Sequence, residues 1–227
     1  MVKKVISFSL WGVVDKYTLG AVKNAKIARD IYPGWICRFY VGKSTPREIV
    51  GELIDQDNTE VFIMNEEGNW SGMFWRFASA YDPAVSVMLS RDVDCRLGMR
   101  EKAAVDEWLE SDKDFHIMRD CAGHNIPIMG GMWGARNGIL ENMGGLISSF
   151  KKGEYWQVDQ QFLAAHIYPH VRNNSFVHDE YFEFEEWRKP FPTARESGTL
   201  EGHPHIPLDY VGKALLGDDS LCWGEDR

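Results

Sequence analysis

Apolar and polar positions alternate through Val5-Ile6-Ser7-Phe8-Ser9-Leu10, and the run stops at Trp11-Gly12. That pattern predicts a first strand and a turn. Ala21, Val22, Ala25, Ala28 and Ile31 fall at helical spacing within residues 17–31, and Pro33-Gly34 ends the helix. Residues 35–41 read as a second strand. Ser44-Thr45-Pro46 then opens a helix through Leu53, with a hydroxyl cap and a proline in the first turn. Residues 60–64 form a third predicted strand, 72–80 a short aromatic helix, and 85–90 a fourth strand running into Arg91-Asp92-Val93-Asp94. A helix over 99–109 follows, then strands over 115–118 and 129–135, helices over 138–150 and 159–167, and a last strand over 175–178.

The first half therefore alternates strand and helix, which predicts an α/β sheet with parallel crossovers. After Asp120 the pattern becomes irregular and rich in Gly, Trp and Met. Four of the nine prolines lie from Pro190 onward, so residues 1–195 read as one domain and 196–227 as a wrapping tail that frays at its end.

Composition narrows the class. The chain has 227 residues and is 44% hydrophobic, enough for a real core and too much for intrinsic disorder. No apolar run approaches the roughly 18 residues of a membrane helix. Lys3-Lys4-Val5-Ile6 starts as a secretory leader does, but the run breaks at Trp11-Gly12 without a small-residue cleavage site. A net charge of −9 argues against a broad basic face for nucleic acid. Cys37, Cys95, Cys121 and Cys222 are scattered, so reduced thiols and a cytoplasmic location are expected.

No G-x-G-x-x-G, Walker A or H-E-x-x-H sequence occurs. His166 and His170 are four apart, but Pro169 is expected to interrupt the helix that would align them. The sharpest feature is Asp92-Val93-Asp94, placed by the buried strand before it at a strand's carboxyl end, where open α/β sheets bind ligands. Two carboxylates so close repel unless a cation joins them. A divalent ion there could hold a diphosphate and neutralise its leaving charge. The plainer reading is a solvated turn with Arg91 and Arg96 paired to the two aspartates.

Ser90-Arg91-Asp92-Val93-Asp94 is followed, in order, by Arg100-Glu101-Lys102-Ala103-Ala104-Val105-Asp106-Glu107-Trp108, Phe115-His116-Ile117-Met118-Arg119-Asp120, Gly130-Gly131-Met132-Trp133-Gly134-Ala135-Arg136 and Asp159-Gln160-Gln161-Phe162-Leu163. These motifs resemble the small GT-A-fold glycosyltransferases of large algal viruses, phages and some bacteria, over about Val5 to Arg195. The resemblance implies a Rossmann-like single domain, with a central, mostly parallel sheet flanked by helices and an irregular acceptor-side second half. It implies a nucleotide-sugar donor, UDP-linked in the first instance, and Mn²⁺ or Mg²⁺ on the D-x-D. The sugar would pass to a hydroxyl of a glycan or small-molecule acceptor, in the host cytoplasm if the chain is viral.

The same resemblance assigns residues. His178 matches a late metal ligand of glycogenin-type enzymes, completing a set with Asp92 and Asp94. Imidazole with carboxylates suits Mn²⁺; the alternative is a strand-end histidine bonded to Asp179. The diphosphate-reaching lysine of those enzymes is missing, and Arg195 is the candidate substitute. Arg76 reaches the donor or orients Asp92, since a guanidinium binds oxyanions in a fixed fork. Ser9, Leu10, Trp11 and Tyr17 lie where the base binds. Asp159 and Gln160 fall beside the reacting sugar carbon, and Asp159 or Asp120 takes the acceptor's proton if the sugar inverts. Gly131, Met132 and Trp133 offer close backbone approach and a flat aromatic surface for a sugar ring; the alternative is a glycine bulge in a strand packed on a core tryptophan. A two-carboxylate glycoside hydrolase, a tryptophan-based carbohydrate-binding module and a metal-dependent phosphohydrolase remain as competing functions.

Overall fold

A computed structural model of the chain describes residues 2–151, 153–195 and 198–222. The strands β1 (Lys3–Leu10), β2 (Ile36–Val41), β3 (Thr59–Ile63), β4 (Val85–Ser90), β5 (Phe115–Arg119), β6 (Trp133–Arg136) and β7 (Ser175–Asp179) form one sheet in the order β3-β2-β1-β4-β6-β5-β7. Only β6 runs antiparallel, wedged between β4 and β5; the other pairings are parallel. The helices are α1 (Asp15–Ile31), α2 (Arg47–Ile54), α3 (Met99–Glu110), α4 (Met143–Ser149) and α5 (Val158–Phe162), with a 3₁₀ segment at Trp70–Tyr81. The chain thus has the expected mostly parallel α/β sheet flanked by helices.

Alternation in β1 sets the two layers. Ile6, Phe8 and Leu10 pack with Ala21, Ala25 and Ala28 of α1 on one face. On the other, Val5 joins Met88, Trp133, Phe74 and Phe162. The polar positions between them are buried too, which the hydrophobic pattern alone does not show. Ser7 Oγ donates to the Arg76 carbonyl oxygen at 2.6 Å, and Ser9 Oγ accepts from the Arg76 N–H at 3.0 Å. Two strand serines therefore fix the 3₁₀ segment by its backbone.

Three expected elements differ. The 129–135 strand begins only at Trp133. The 138–150 helix shrinks to Met143–Ser149, because Gly138 takes a φ of 96° and starts a turn instead. The 159–167 helix does not stop ahead of Pro169. It continues through a π-turn at Leu163–Ile167, where the Tyr168 N–H reaches Leu163 O, into a last α-turn at Tyr168–Val171. Pro169 thus lies inside a continuous helical run, directly after the π-turn that changes the hydrogen-bond register ahead of it.

Past Arg195 the chain adds a hairpin of β8 (Thr199–Leu200) and β9 (His203–Pro207). Beyond it the chain returns to the acidic turn, where Leu215 N–H donates to Asp94 O at 2.8 Å and Asp219 pairs with Arg96. The expected boundary after Arg195 adjoins residues 196–197, and the expected frayed end falls at 223–227; both stretches lie outside the described residues.

Candidate active site

The carboxyl ends of β1 and β4 open into a cleft of about 620 Å³. Its floor is the Asp92-Val93-Asp94 turn, which α1 holds in place. Asn24, fully buried on α1, donates to Val93 O (3.1 Å) and Cys95 O (2.7 Å) and accepts from Leu97 N–H (3.1 Å). Gly20, one helical turn earlier, lets α1 approach closely enough that a Cβ there would collide with the Val93 carbonyl. Nothing in the spacing of Gly20 or Asn24 announces this role.

Arg76 is the centre of the site. It is 5% exposed and bridges two carboxylates: Nη1 pairs with Asp92 Oδ1, and Nη2 with Asp159 Oδ2 at 2.8 Å. Burial disfavours its charge, but the Asp92 and Asp159 charges outweigh that and raise its pKa. Asp159, on the first turn of α5, also accepts from the Gln160 N–H at 2.9 Å. Burial raises its pKa, against the pull of Arg76. Asp94 has no such partner. Burial first, and then the Asp92 charge, push its carboxyl up to about 6, against a partial pull down from Lys16 and Arg76.

Two glycines close the site from above. A Cβ on Gly130 would overlap Asp159 Oδ2 and lie 2.7 Å from Arg76 Nη2. One on Gly131 would overlap the Asp92 carboxylate and lie 2.9 Å from the Asp92 backbone nitrogen. Gly131→Ala is therefore expected to destabilise the fold by about 1–3 kcal/mol, read as a lower urea midpoint. Gly145→Ala on α4, where a Cβ meets nothing within 4 Å, serves as the control. Equal midpoints for the two variants would refute the contact.

Ser9, Leu10, Trp11, Tyr17, Arg76, Asp92, Asp94, Asp159 and Gln160 all line this one cleft. Trp11 is held by glycines, since a Cβ at Gly42 or Gly68 would collide with it. Lys16, Trp70, His124, Trp156 and Tyr210 line the cleft as well and were not singled out from the sequence. For Trp156 a signal existed: an aromatic pair, Tyr155-Trp156, set in the polar, glycine-containing stretch Gly153–Gln157.

Five expected site residues lie elsewhere. His178 is fully buried on β7, with Nδ1 2.9 Å from His116 Nε2 and Nε2 3.0 Å from Glu107 Oε2. Both ring nitrogens are engaged there, so it does not join Asp92 and Asp94, and burial lowers its pKa. Asp120 has no exposure and accepts from Arg100 twice, from Arg195 and from the Val211 N–H, so its carboxylate anchors the tail and does not face an acceptor. Arg195 is held by that same carboxylate and by Asp209. Trp133 is a core residue, stacked on Phe115 at 5.3 Å and 12° and packed against Phe77. Met132 is buried with Met118, Phe191 and Val211. Gly130 and Gly131 lie in a turn ahead of β6, and what approaches their backbone is a pair of carboxylates.

Among the described residues no three His, Cys, Asp or Glu side chains gather as a metal cluster. The pair Asp92 and Asp94 nevertheless fits a hard divalent ion. Magnesium-type sites use one or two carboxylates, with waters and substrate phosphates completing the shell, and a cation would relieve the repulsion that burial creates at Asp94.

The strand order, with one reversed strand beside the acidic turn at the end of β4, defines a GT-A, Rossmann-like fold. No family model and no curated protein matches the chain. Solved structures do. One is a glycosyltransferase involved in the glycosylation of the major capsid of PBCV-1, with a TM-score of 0.53 and 14% identity over 78% of this chain and 81% of that one. Another is a mannosyltransferase from Pyrobaculum calidifontis in complex with GDP-Man and Mn²⁺, with a TM-score of 0.54 and 13% identity over 79% of this chain and 55% of that one. A third is 4-diphosphocytidyl-2C-methyl-D-erythritol synthase from Anaerococcus prevotii, with a TM-score of 0.51 and 11% identity over 84% and 94% of the two chains. At such identities the likeness is one of fold.

Proposed function

We propose that this chain is a glycosyltransferase that takes a nucleoside-diphosphate sugar, with Mn²⁺ or Mg²⁺ held by Asp92 and Asp94. The observation that carries the reading is the single cleft in which Arg76 braces Asp92 of the acidic turn against Asp159. In the GT-A neighbours named above, glycosyltransferases recur, and one is described with a GDP-sugar and Mn²⁺.

Each residue then has a task. Ser9, Leu10, Trp11 and Tyr17, at the exit of β1, hold the nucleoside. Arg76 fixes both carboxylates and brings positive charge near the diphosphate in an acidic protein. The bound ion would neutralise charge on the diphosphate as it leaves. A bond forms between the acceptor oxygen and the anomeric carbon, and the bond from that carbon to the phosphate oxygen breaks with its electron pair. Asp159 takes the proton released by the acceptor hydroxyl; burial raises its pKa toward the range a general base needs. Asp159 is favoured over Asp120 here because it lines the cleft, whereas the Asp120 carboxylate is taken by Arg100, Arg195 and the Val211 N–H.

The erythritol synthase neighbour favours one second reading, transfer of a nucleotidyl group from a nucleoside triphosphate. A thermal-shift panel separates the two. UDP- and GDP-sugars are expected to raise Tm only when Mn²⁺ is present, by about 2.7 kcal/mol of added stability at a hundredfold excess over Kd. Stabilisation by CTP with Mn²⁺ but by no nucleotide sugar would favour nucleotidyl transfer. Full activity in the presence of a chelator contradicts the metal assignment. Among the described residues no helix is long and apolar enough to cross a membrane, and cytoplasmic location stays part of this proposal.

A further inference from the structure

The tryptophans differ widely in exposure. Among the described residues Trp35, Trp75, Trp108 and Trp133 are buried, Trp11 is half-buried, and Trp70, Trp156 and Trp187 are exposed. Trp187 lies on the far side near β7, where its Nε1 donates to Ser175 O and the Arg172 guanidinium sits over its ring. The other two border the active-site cleft: Trp70 at the start of the 3₁₀ segment, 40% exposed, and Trp156 just ahead of α5, 59% exposed. Both indoles line the same polar cleft and offer it flat apolar faces, each with a polar N–H at its edge.

The backbone holds Trp156 in that position. Gln157, the next residue, has a φ of 71°, a left-handed conformation that costs a non-glycine residue of order 1 kcal/mol. The Tyr155 ring folds back over Gly153, where a Cβ would overlap it. Trp156 instead lines the cleft, three residues from Asp159.

The same cleft holds polar atoms without partners among the described residues. Gln160 Oε1 and Arg76 Nε are buried atoms with no hydrogen-bond partner among the described residues, and both side chains line the cleft. A cleft with flat apolar faces and a few convergent polar groups fits a ligand that is apolar on one face and rich in hydroxyls at its edge. A pyranose ring is such a ligand. A lipid chain would meet the acidic side chains of Asp92, Asp94 and Asp159, and an acyclic alcohol would leave the indoles uncovered.

We propose that Trp70 and Trp156 form the acceptor subsite and that the acceptor is a saccharide, whose ring lies on the indoles with its hydroxyls toward Gln160 and Asp159. This rests on the glycosyltransferase reading above. It replaces the Met132–Trp133 surface expected from the sequence with residues that the cleft contains.

The test measures transfer from UDP- and GDP-hexoses with Mn²⁺ to methyl hexopyranosides and to disaccharides, with glycerol and decanol as acyclic comparisons. Saccharides are expected to accept at concentrations where glycerol and decanol do not. Trp156→Ala and Trp70→Ala should each raise the saccharide KM by about tenfold or more, well beyond any change in the donor KM, and Trp156→Phe should recover part of the loss. Both side chains are exposed, so these variants are expected to fold, which matching thermal melts verify. Glycerol serving as well as the saccharides, or a saccharide KM within about twofold of wild type in both alanine variants, would overturn the subsite. A wild-type protein that binds neither UDP nor GDP with Mn²⁺, and consumes no nucleotide sugar even with water as acceptor, would overturn the transferase reading itself and the subsite with it.

Discussion

Asp94→Asn should lower nucleotide-sugar turnover by about a thousandfold, equivalent to about 4 kcal/mol of transition-state stabilisation. The ion proposed here has only two protein ligands, so losing one charged oxygen removes half of its protein shell. The same substitution should make the metal-free protein more stable at pH 7.5, with Tm raised by about 2 °C or more. The sign follows from the raised pKa of Asp94, about 6 against an ordinary 3.8. The folded state binds this proton more tightly than the unfolded chain does. Stability from this group is therefore present at low pH and lost as pH rises through about 6. A neutral Asn avoids that loss. Metal binding runs the other way, because the ion displaces the proton, and affinity should weaken as pH falls through about 6. Unchanged turnover in Asp94→Asn, or a Tm that falls in the metal-free protein, would remove Asp94 from this role.

The second large effect is on folding. Arg119 of β5 has no exposure and is held between two equally buried carboxylates: Nε meets Asp179 Oδ2 at 2.5 Å and Nη2 pairs with Glu185. Its Nη1 donates to Pro127 O, and its guanidinium sits 4.9 Å from the Phe184 ring centre. Arg119→Met keeps the volume and removes the charge, leaving two buried carboxylates without their cation. A loss of about 3–5 kcal/mol is expected, measured by urea unfolding. Part of it should return when Asp179→Asn and Glu185→Gln are added, because the remaining carboxylates are then neutral. A variant as stable as wild type would show that the surrounding donors, the Tyr168 hydroxyl on Glu185 and the Tyr181 and Phe182 N–H groups on Asp179, satisfy these carboxylates unaided.

What could be read from the sequence follows physical lines. Strands β1, β2, β4 and β5 and helix α1 were legible because local periodicity and burial agree there. Asp92 and Asp94 were legible because a buried strand delivers them to a fixed edge of the sheet. Trp133 and Met132 were not, since a large apolar residue after two glycines has the same pattern in a core as in a binding surface. Only the stacking on Phe115 settles which. His178 failed for a related reason: its strand position was right, but the partner that claims it, Glu107, is 71 residues earlier. Asp120 looked like a free acid because the two arginines that neutralise it lie far off on either side in sequence, Arg100 20 residues before it and Arg195 75 residues after. Long-range partners of this kind leave no local mark.

The cleft draws its walls from both extremities of the described chain. Ser9 and Leu10 lie on the first strand, while Ile206, Tyr210, Gly212 and Ala214 come from the final segment, and Leu215 ties its backbone to Asp94. Contacts separated by some two hundred residues are among the slowest to form. During synthesis the sheet can assemble from β1 through β7 while this cleft is still missing a side. Under the transferase reading, activity would then require the segment beyond β9 to have left the ribosome and folded back onto the acidic turn.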